Sequence, residues 1–372
     1  MDHGEIIGPS SVPLPGSDLF VLSAAIVIGF VAVIALSVLS IRRILRRRRG
    51  QPPRRRVGLV LWGATAVLAL YIGLVLWPFG FFVPEFPQLP RLFPENAFIY
   101  TPATGLPLAD GTTETVEAIG DRPLFAATSG TVRSGRIGGL PFNLVDSDTP
   151  RYRFEFTYPG ASDDTGYPIP DPAYIQSMPF YSGDNHYVGI DLEGRRMWEL
   201  ANIRKWFWLW QAGGGALWDL DSLEYPKGST TASGLPLIPL AYGFDEVASG
   251  SIDHVLAISM PTVRAEDYQW PARHTDGPVR DPAAPMMGTW FRLRSDADLS
   301  GLGPQARVIA EALQEYGAVL MDTGGSVAVT GLTDSRWDDG DLRTLTELSS
   351  DDLEVVDATG LMIDPQSMEA AR

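Results

Sequence analysis

Residues 186–200 read HYVGIDLEGRRMWEL, two runs that alternate apolar and polar residues on either side of Glu193-Gly194. Alternation at period two marks a strand with one buried face. A glycine-containing pair between two such runs marks a hairpin. The same pattern recurs outward in both directions, in TPRYRFEFTY (149–158), ALWDLDSL (216–223), HVLAISM (254–260), GTWFRLRS (288–295) and SVAVTGL (326–332). Clusters of Gly, Pro, Ser and Asp separate these strands, and the run Gly213-Gly214-Gly215 reads as one more turn. Helical spacing interrupts the pattern twice. PQARVIAEALQEY (304–316) carries proline at its first position and Gly317 just past its end. Residues 341–348 form a shorter candidate with acids at the start. Residues 108–372 are thus predicted to be a mainly-β domain, a β-sandwich or distorted barrel with one or two packed helices.

The first quarter of the chain has a different grammar. Residues 19–41, LFVLSAAIVIGFVAVIALSVLSI, carry no charge and would make about 34 Å of helix. Residues 57–77, VGLVLWGATAVLALYIGLVLW, would make about 31 Å. Either length would cross a hydrocarbon core of about 30 Å. The nine arginines among residues 1–83 all fall at 42–56, between the two runs. Charge bias of this kind places the loop in the cytoplasm and both chain ends outside it. The expected organisation is a short outer tail (1–18), a two-pass transmembrane hairpin (19–83) in the cytoplasmic membrane, and a proline-rich stalk (84–107). The outer β domain (108–372) would follow it. Prolines at 78, 84, 87, 90 and 94 forbid regular helix and favour an extended stem.

Charge narrows the partners. The 372-residue chain has a net charge of −16. With nine arginines and three acids before residue 84, the rest holds 20 of the 29 basic and 42 of the 45 acidic residues. A domain this acidic repels nucleic acid. With no cysteine, disulfides, zinc–thiolate sites and thiol nucleophiles are excluded.

Several pieces are familiar as a set: GDNHYVGID, AGGGALWDL, IDHVLAISMP, YQWPARH, PMMGTWFRLR, SGLGPQARVIAEALQEYGAVLMDTGG and WDDGDLRTLTEL. Together they resemble a family of secreted or membrane-anchored bacterial proteins of unassigned activity, over roughly residues 175–365. The resemblance implies a β-rich extracytoplasmic domain. The hairpin of the first quarter departs from the simple secretion signal expected of that family.

Candidate chemistry rests on a few side chains. His186, His254 and His274 each lie beside an acid, respectively Asp184, Asp253 and Asp276. A histidine with an oriented carboxylate is the minimal acid–base unit. His254 opens the strand HVLAISM and Asp322 closes the strand AVLMD, so both are polar groups at strand ends, where loops assemble sites. They are expected to share one polar cleft, with His186 and Arg292 as further candidates for catalysis. Trp206, Trp208 and Trp210 alternate at period two and would share one face of a strand. With Trp218 and Trp270 they are the candidate binding aromatics, a pattern that core packing satisfies equally well. Asp163-Asp164 and Asp338 to Asp341 offer oxygens for calcium without the EF-hand register. No HExxH, G-x-S-x-G, P-loop or dinucleotide fingerprint occurs, and no metal or organic cofactor is expected.

The leading expectation is an extracytoplasmic binding domain for a cell-envelope polymer or partner protein, tethered to the lipid bilayer. A polysaccharide hydrolase using carboxylates with a supporting histidine is the second, and a structural subunit of an envelope assembly the third.

Overall fold

A computed structural model describes residues 85–131, 138–177, 184–206 and 209–372, the side chains of 205–209 excepted. In chain order the strands are β1 (Leu124–Ala127), β2 (Asn143–Leu144), β3 (Arg151–Tyr152), β4 (Glu155–Phe156), β5 (Tyr167–Pro168), β6 (Tyr187–Asp191), β7 (Arg196–Ala201) and β8 (Arg204–Trp206). They continue as β9 (Leu209–Ala212), β10 (Gly214–Asp219), β11 (Leu256–Met260), β12 (Trp290–Leu293), β13 (Ala318–Thr323), β14 (Val327–Thr330) and β15 (Leu353–Val356). The helices are α1 (Thr112–Ile119), α2 (Phe244–Ser249), α3 (Pro304–Glu315) and α4 (Asp339–Arg343). The domain is mainly β.

The stretch quoted first folds as read: β6 and β7 pair antiparallel, Tyr187 opposite Leu200 and Asp191 opposite Arg196. They form the centre of a four-stranded sheet of order β10-β7-β6-β2. A six-stranded sheet of order β1-β14-β11-β13-β12-β15 is the larger element. Its strand β11 runs parallel to β13 and antiparallel to β14. Parallel neighbours need a crossover rather than a tight turn, and the chain between β11 and β13 carries β12 and α3.

Both faces of the six-stranded sheet are buried. Ala257, Trp290, Val319 and Met321 pack with Val188, Ile190, Met197 and Trp218 of the four-stranded sheet. On the other face Leu256, Ile258, Ala318 and Leu320 meet Ala306, Ile309, Ala310 and Leu313 of α3. Those four helix positions lie at i, i+3, i+4 and i+7, one stripe of the helix surface. The Asp341 carboxylate accepts from the first-turn amides of Gln305 and Ala306 at 3.0–3.1 Å, capping α3 from outside. Gly317, at φ 70°, lets the chain leave the helix and enter β13 at once.

Four expectations are corrected. First, among the described residues no helix is long and apolar enough to cross a membrane. The 12-residue α3 spans only about 18 Å against the ~30 Å required. The transmembrane hairpin at 19–83 lies outside the described residues. Among the described residues the fold class is a mainly-β domain, and no spanning helix among them supports the two-pass membrane location. Second, among the described residues the strands form no closed barrel or sandwich of hairpins: the larger sheet is open, ending at β1 and β15, and mixes parallel with antiparallel pairs.

Third, residues 84–107 are no free stalk where described. Phe86, Leu92, Phe93, Ala97, Phe98, Ile99 and Ala103 are buried in the core between the sheets. The Phe98 amide donates to Met368 O at 2.8 Å and Ile99 O accepts from the Val255 amide at 2.7 Å. Prolines removed helix as an option, and the apolar residues between them supplied the reason to pack. Fourth, Gly214 and Gly215 are strand residues of β10, opposite Ala201 and Leu200. A Cβ at Gly215 would come within 2.4 Å of the Tyr167 hydroxyl, so glycine here permits close packing rather than a turn.

Phe98, fully buried and edge-on to Trp270 and Trp290, is a direct gauge of that packing. Phe98→Ala should destabilise the domain by about 3–5 kcal/mol in urea unfolding. A loss under about 1 kcal/mol would mean that this strip does not belong to the core.

Candidate functional site

Two cavities sit at opposite ends of the β11–β13 pair. The larger, about 510 Å³, is walled by the proline strip from Phe86 to Leu92, by α2, and by Leu332 to Asp334, with His254 in its lining. The smaller, about 10 Å³, is lined by Asp184, His186, Ala201, Asn202, Thr230, Ala232 and Asp322.

His254 is 8% exposed and stands two residues before β11. Its Nδ1 lies 2.8 Å from the carbonyl oxygen of Val255 and so carries a proton. Its Nε2 lies 3.4 Å from Glu246 Oε1. A neutral ring in this tautomer would turn a lone pair toward a carboxylate, so the pair favours the imidazolium. Burial alone would lower the His254 pKa; the hydrogen bond and charge of Glu246, with Val255 O and Asp253, outweigh it and raise the value above 6.5. Glu246 is itself fixed by α2, its Oε2 accepting from the Gly243 amide at 2.8 Å.

The opposite wall is pinned by Arg336. Its guanidinium reaches both oxygens of Asp334 at 2.7–2.8 Å and Asp245 Oδ1 at 2.6 Å. It lies over the Phe244 ring, 4.3 Å from the centroid. It also donates to Phe86 O, while the Phe86 amide donates to Asp334, both at 3.1 Å. The proline strip is thereby held as a wall of the cavity. Arg91 lies over the Tyr100 ring at 4.7 Å at its edge.

Asp322 is at the other end. In the β11–β13 register it stands opposite Ser259, five residues beyond His254. At about 3.3 Å per residue that is roughly 16 Å along the strand. Both residues adjoin strand ends, as the sequence indicated, but the strands are parallel and the ends are opposite ones. The expected His254–Asp322 pair is therefore corrected. The histidine beside Asp322 is His186, which lines the same cavity.

Around Asp322 the acids crowd. Its Oδ1 accepts from the Thr323 amide at 2.8 Å. The Thr323 hydroxyl donates to Asp276 Oδ1 at 2.7 Å. Asp322 keeps some surface at the cavity mouth, yet protein packs densely about its carboxyl. Burial first, then the charges of Asp184 and Asp276, push its pKa well above the usual carboxylate range. Asp276 is raised too, chiefly by burial. His186 is 5% exposed, and burial holds its pKa down against the pull of Asp184. Its Nδ1 has no hydrogen-bond partner among the described residues. Thr230, on the cavity wall, donates to Glu199 Oε2 at 2.7 Å, and the Leu237 amide reaches Oε1 at 2.8 Å. Burial pushes Glu199 up to about 7.

The remaining candidates are committed to structure. Arg292 bonds Glu354, its cross-strand neighbour on β15, and Ala103 O at 2.6 Å. His274 is held between Ala232 O and Ser229 Oγ, at 2.6 and 3.0 Å, and burial lowers its pKa to about 4. Trp218 is core, against Phe93 and Tyr225. Trp210 packs on Tyr152 and Phe154, and Trp270 donates from Nε1 to Ser367 O. The expected single strand of alternating tryptophans is instead the antiparallel pair β8–β9, with Trp206 opposite Leu209. The Trp206 side chain and all of Trp208 lie outside the described residues. Asp163 receives the amides of Leu217 and Gly228, Asp164 pairs with Arg153, Asp338 caps α4 and Asp341 caps α3. Among the described residues no group of three or more His, Asp or Glu side chains is placed to hold a metal ion.

Glu246 and Arg336 escaped sequence reasoning. Glu246 lies eight residues before its histidine, across a turn whose path no local pattern gives. Comparisons with protein-family models, curated proteins and solved structures return no match, so the chemistry of both cavities rests on this chain's own residues.

The His254–Glu246 pair carries a pH signature. A histidine pKa raised by folding adds stability that is full below about pH 6.5, the unfolded value. That stability is lost as pH rises through the folded value. Unfolding free energies measured from pH 5 to 9 should show this fall in the wild type and lose it in Glu246→Gln. Equal slopes in both proteins would count against the pair.

Proposed function

We propose that this domain is a binding module for a polyhydroxylated ligand, a saccharide, held in the 510 Å³ cavity. The observation that carries the proposal is the cavity itself. Its volume falls within the roughly 300–1,000 Å³ of small-molecule sites. Its wall mixes acceptors (Glu246, Asp253, Asp334) with donors (Arg91, His254, Ser251) beside the apolar surface of Leu89, Pro90 and Ile238. Hydroxyl groups each donate and accept, so a ligand rich in them matches a wall that carries both donors and acceptors. The ion pairs of Glu246 and Arg336 hold those groups in place before a ligand arrives, which reduces the ordering cost of binding. Trp210 and Trp218 are buried and Trp270 packs against the core, so these three are committed to packing.

A glycan array probed with the full chain should identify bound saccharides, and calorimetric titration should give their affinity. Arg91→Ala and Glu246→Gln should each weaken binding at least tenfold, about 1.4 kcal/mol. An array with no bound glycan, or unchanged affinity in both variants, would refute the reading.

A further inference from the structure

The small cavity at the far end of β13 has features that a structural cluster of acids does not need. Asp184, exposed three residues before β6, and Asp322, at the end of β13, line one cavity. His186 lines it too, almost wholly buried, with Nδ1 unpartnered among the described residues. Burying an imidazole nitrogen without a partner is unfavourable, and groups so placed are concentrated at working sites. The cavity lies at the carboxyl end of the parallel β11–β13 pair, where loops beyond the strands assemble sites on a rigid support. Thr230 and Asn202 complete the wall, and Thr230 is fixed by its bond to Glu199.

We infer that Asp322, Asp184 and His186 form a second site, a hydrolytic one, which cleaves a glycosidic bond presented at the protein surface. Asp322 is the proton donor and Asp184 the base. The environment divides the roles. Burial, then the charges of Asp184 and Asp276, raise the Asp322 pKa well above the usual carboxylate range, which suits it to donate a proton, while Asp184 stands exposed on the same cavity, where water reaches it. Thr323 stands between Asp322 and Asp276, its amide on one and its hydroxyl on the other. These two half-buried acids are thus held separately by Thr323, unlike the proton-sharing pair of an aspartic protease.

The step balances without a further reactant. Asp322 passes its proton to the glycosidic oxygen as the bond from that oxygen to the anomeric carbon breaks. A water oxygen bonds to the anomeric carbon and gives a proton to Asp184. The products are a hemiacetal and an alcohol, and the proton returns from Asp184 to Asp322 through solvent. His186, neutral, is a positioning residue: its Nδ1, unpartnered among the described residues, can receive a hydrogen bond from the water.

The test uses full-length protein with a panel of 4-methylumbelliferyl and 2,4-dinitrophenyl glycosides of the common pyranoses and furanoses. Wild type should hydrolyse at least one sugar in both series, with a rate that falls as pH rises through the Asp322 pKa. Asp322→Asn, close to isosteric with a protonated carboxyl, should lose at least about 100-fold on the methylumbelliferyl glycoside, whose departure needs a proton. It should lose less than about 10-fold on the dinitrophenyl one, whose leaving group needs none. Asp184→Ala should lose activity on both and regain part of it with azide. Thermal melts of the variants report retention of the fold. Wild type inactive on the whole panel, or Asp322→Asn folded and equally impaired on both leaving groups, would overturn the assignment. The residues are distinct from those of the large cavity, so saccharide binding that persists without hydrolysis would sink this site and leave the binding reading standing.

Discussion

The parallel pairing of β11 with β13 is the constraint on which the rest depends. It places two strands at the centre of a sheet covered on both faces, by α3 on one side and by the four-stranded sheet on the other. Strands buried on both faces read as nearly continuous apolar runs. LAISM and AVLMD are such runs. Because the pair is parallel, the chain enters both strands at one end and leaves both at the other. Polar residues before β11 and after β13 are therefore kept apart by the length of the strands, and each end builds its own cavity.

The proline strip gives the first end its depth. Without Phe86 to Leu92 laid along the domain, His254 and Glu246 would sit on an open surface, and their interaction would be screened by water. The strip is held by apolar burial of Phe86, Phe93 and Phe98 and by the Arg336–Asp334 pair, which bonds both the amide and the carbonyl of Phe86. Packing and electrostatics thus act on the same residue. The second end holds a much smaller cavity, about 10 Å³. Burial of Asp322, and then the charges of Asp184 and Asp276, raise the cost of charge there and push the Asp322 pKa well above the usual carboxylate range.

Much of this was legible in the sequence, and the limits have physical causes. The β6–β7 hairpin and α3 followed from period and end signals, because their hydrogen bonds are local. Strand pairing across the larger sheet is not local, so parallel registry, and with it the separation of His254 from Asp322, could not be read. The proline strip was misread because proline dictates only what the backbone cannot do; whether an extended segment packs depends on a surface supplied by residues far along the chain. The run Gly213-Gly214-Gly215 looked like a turn because the reason for glycine at Gly215, the close approach of Tyr167 and Phe156, exists only in the fold. The tryptophans were recognised as aromatic weight; Trp210 and Trp218 are core, and Trp270 packs against it half-buried.

The central claim is that the two ends of the β11–β13 pair are electrostatically separate sites. Histidine titration by NMR in two charge-removing variants tests it most directly. In Asp184→Asn the account predicts a lower pKa for His186 and no change for His254. In Glu246→Gln it predicts a lower pKa for His254 and no change for His186. A shift of His254 on loss of Asp184, or of His186 on loss of Glu246, would contradict the separation.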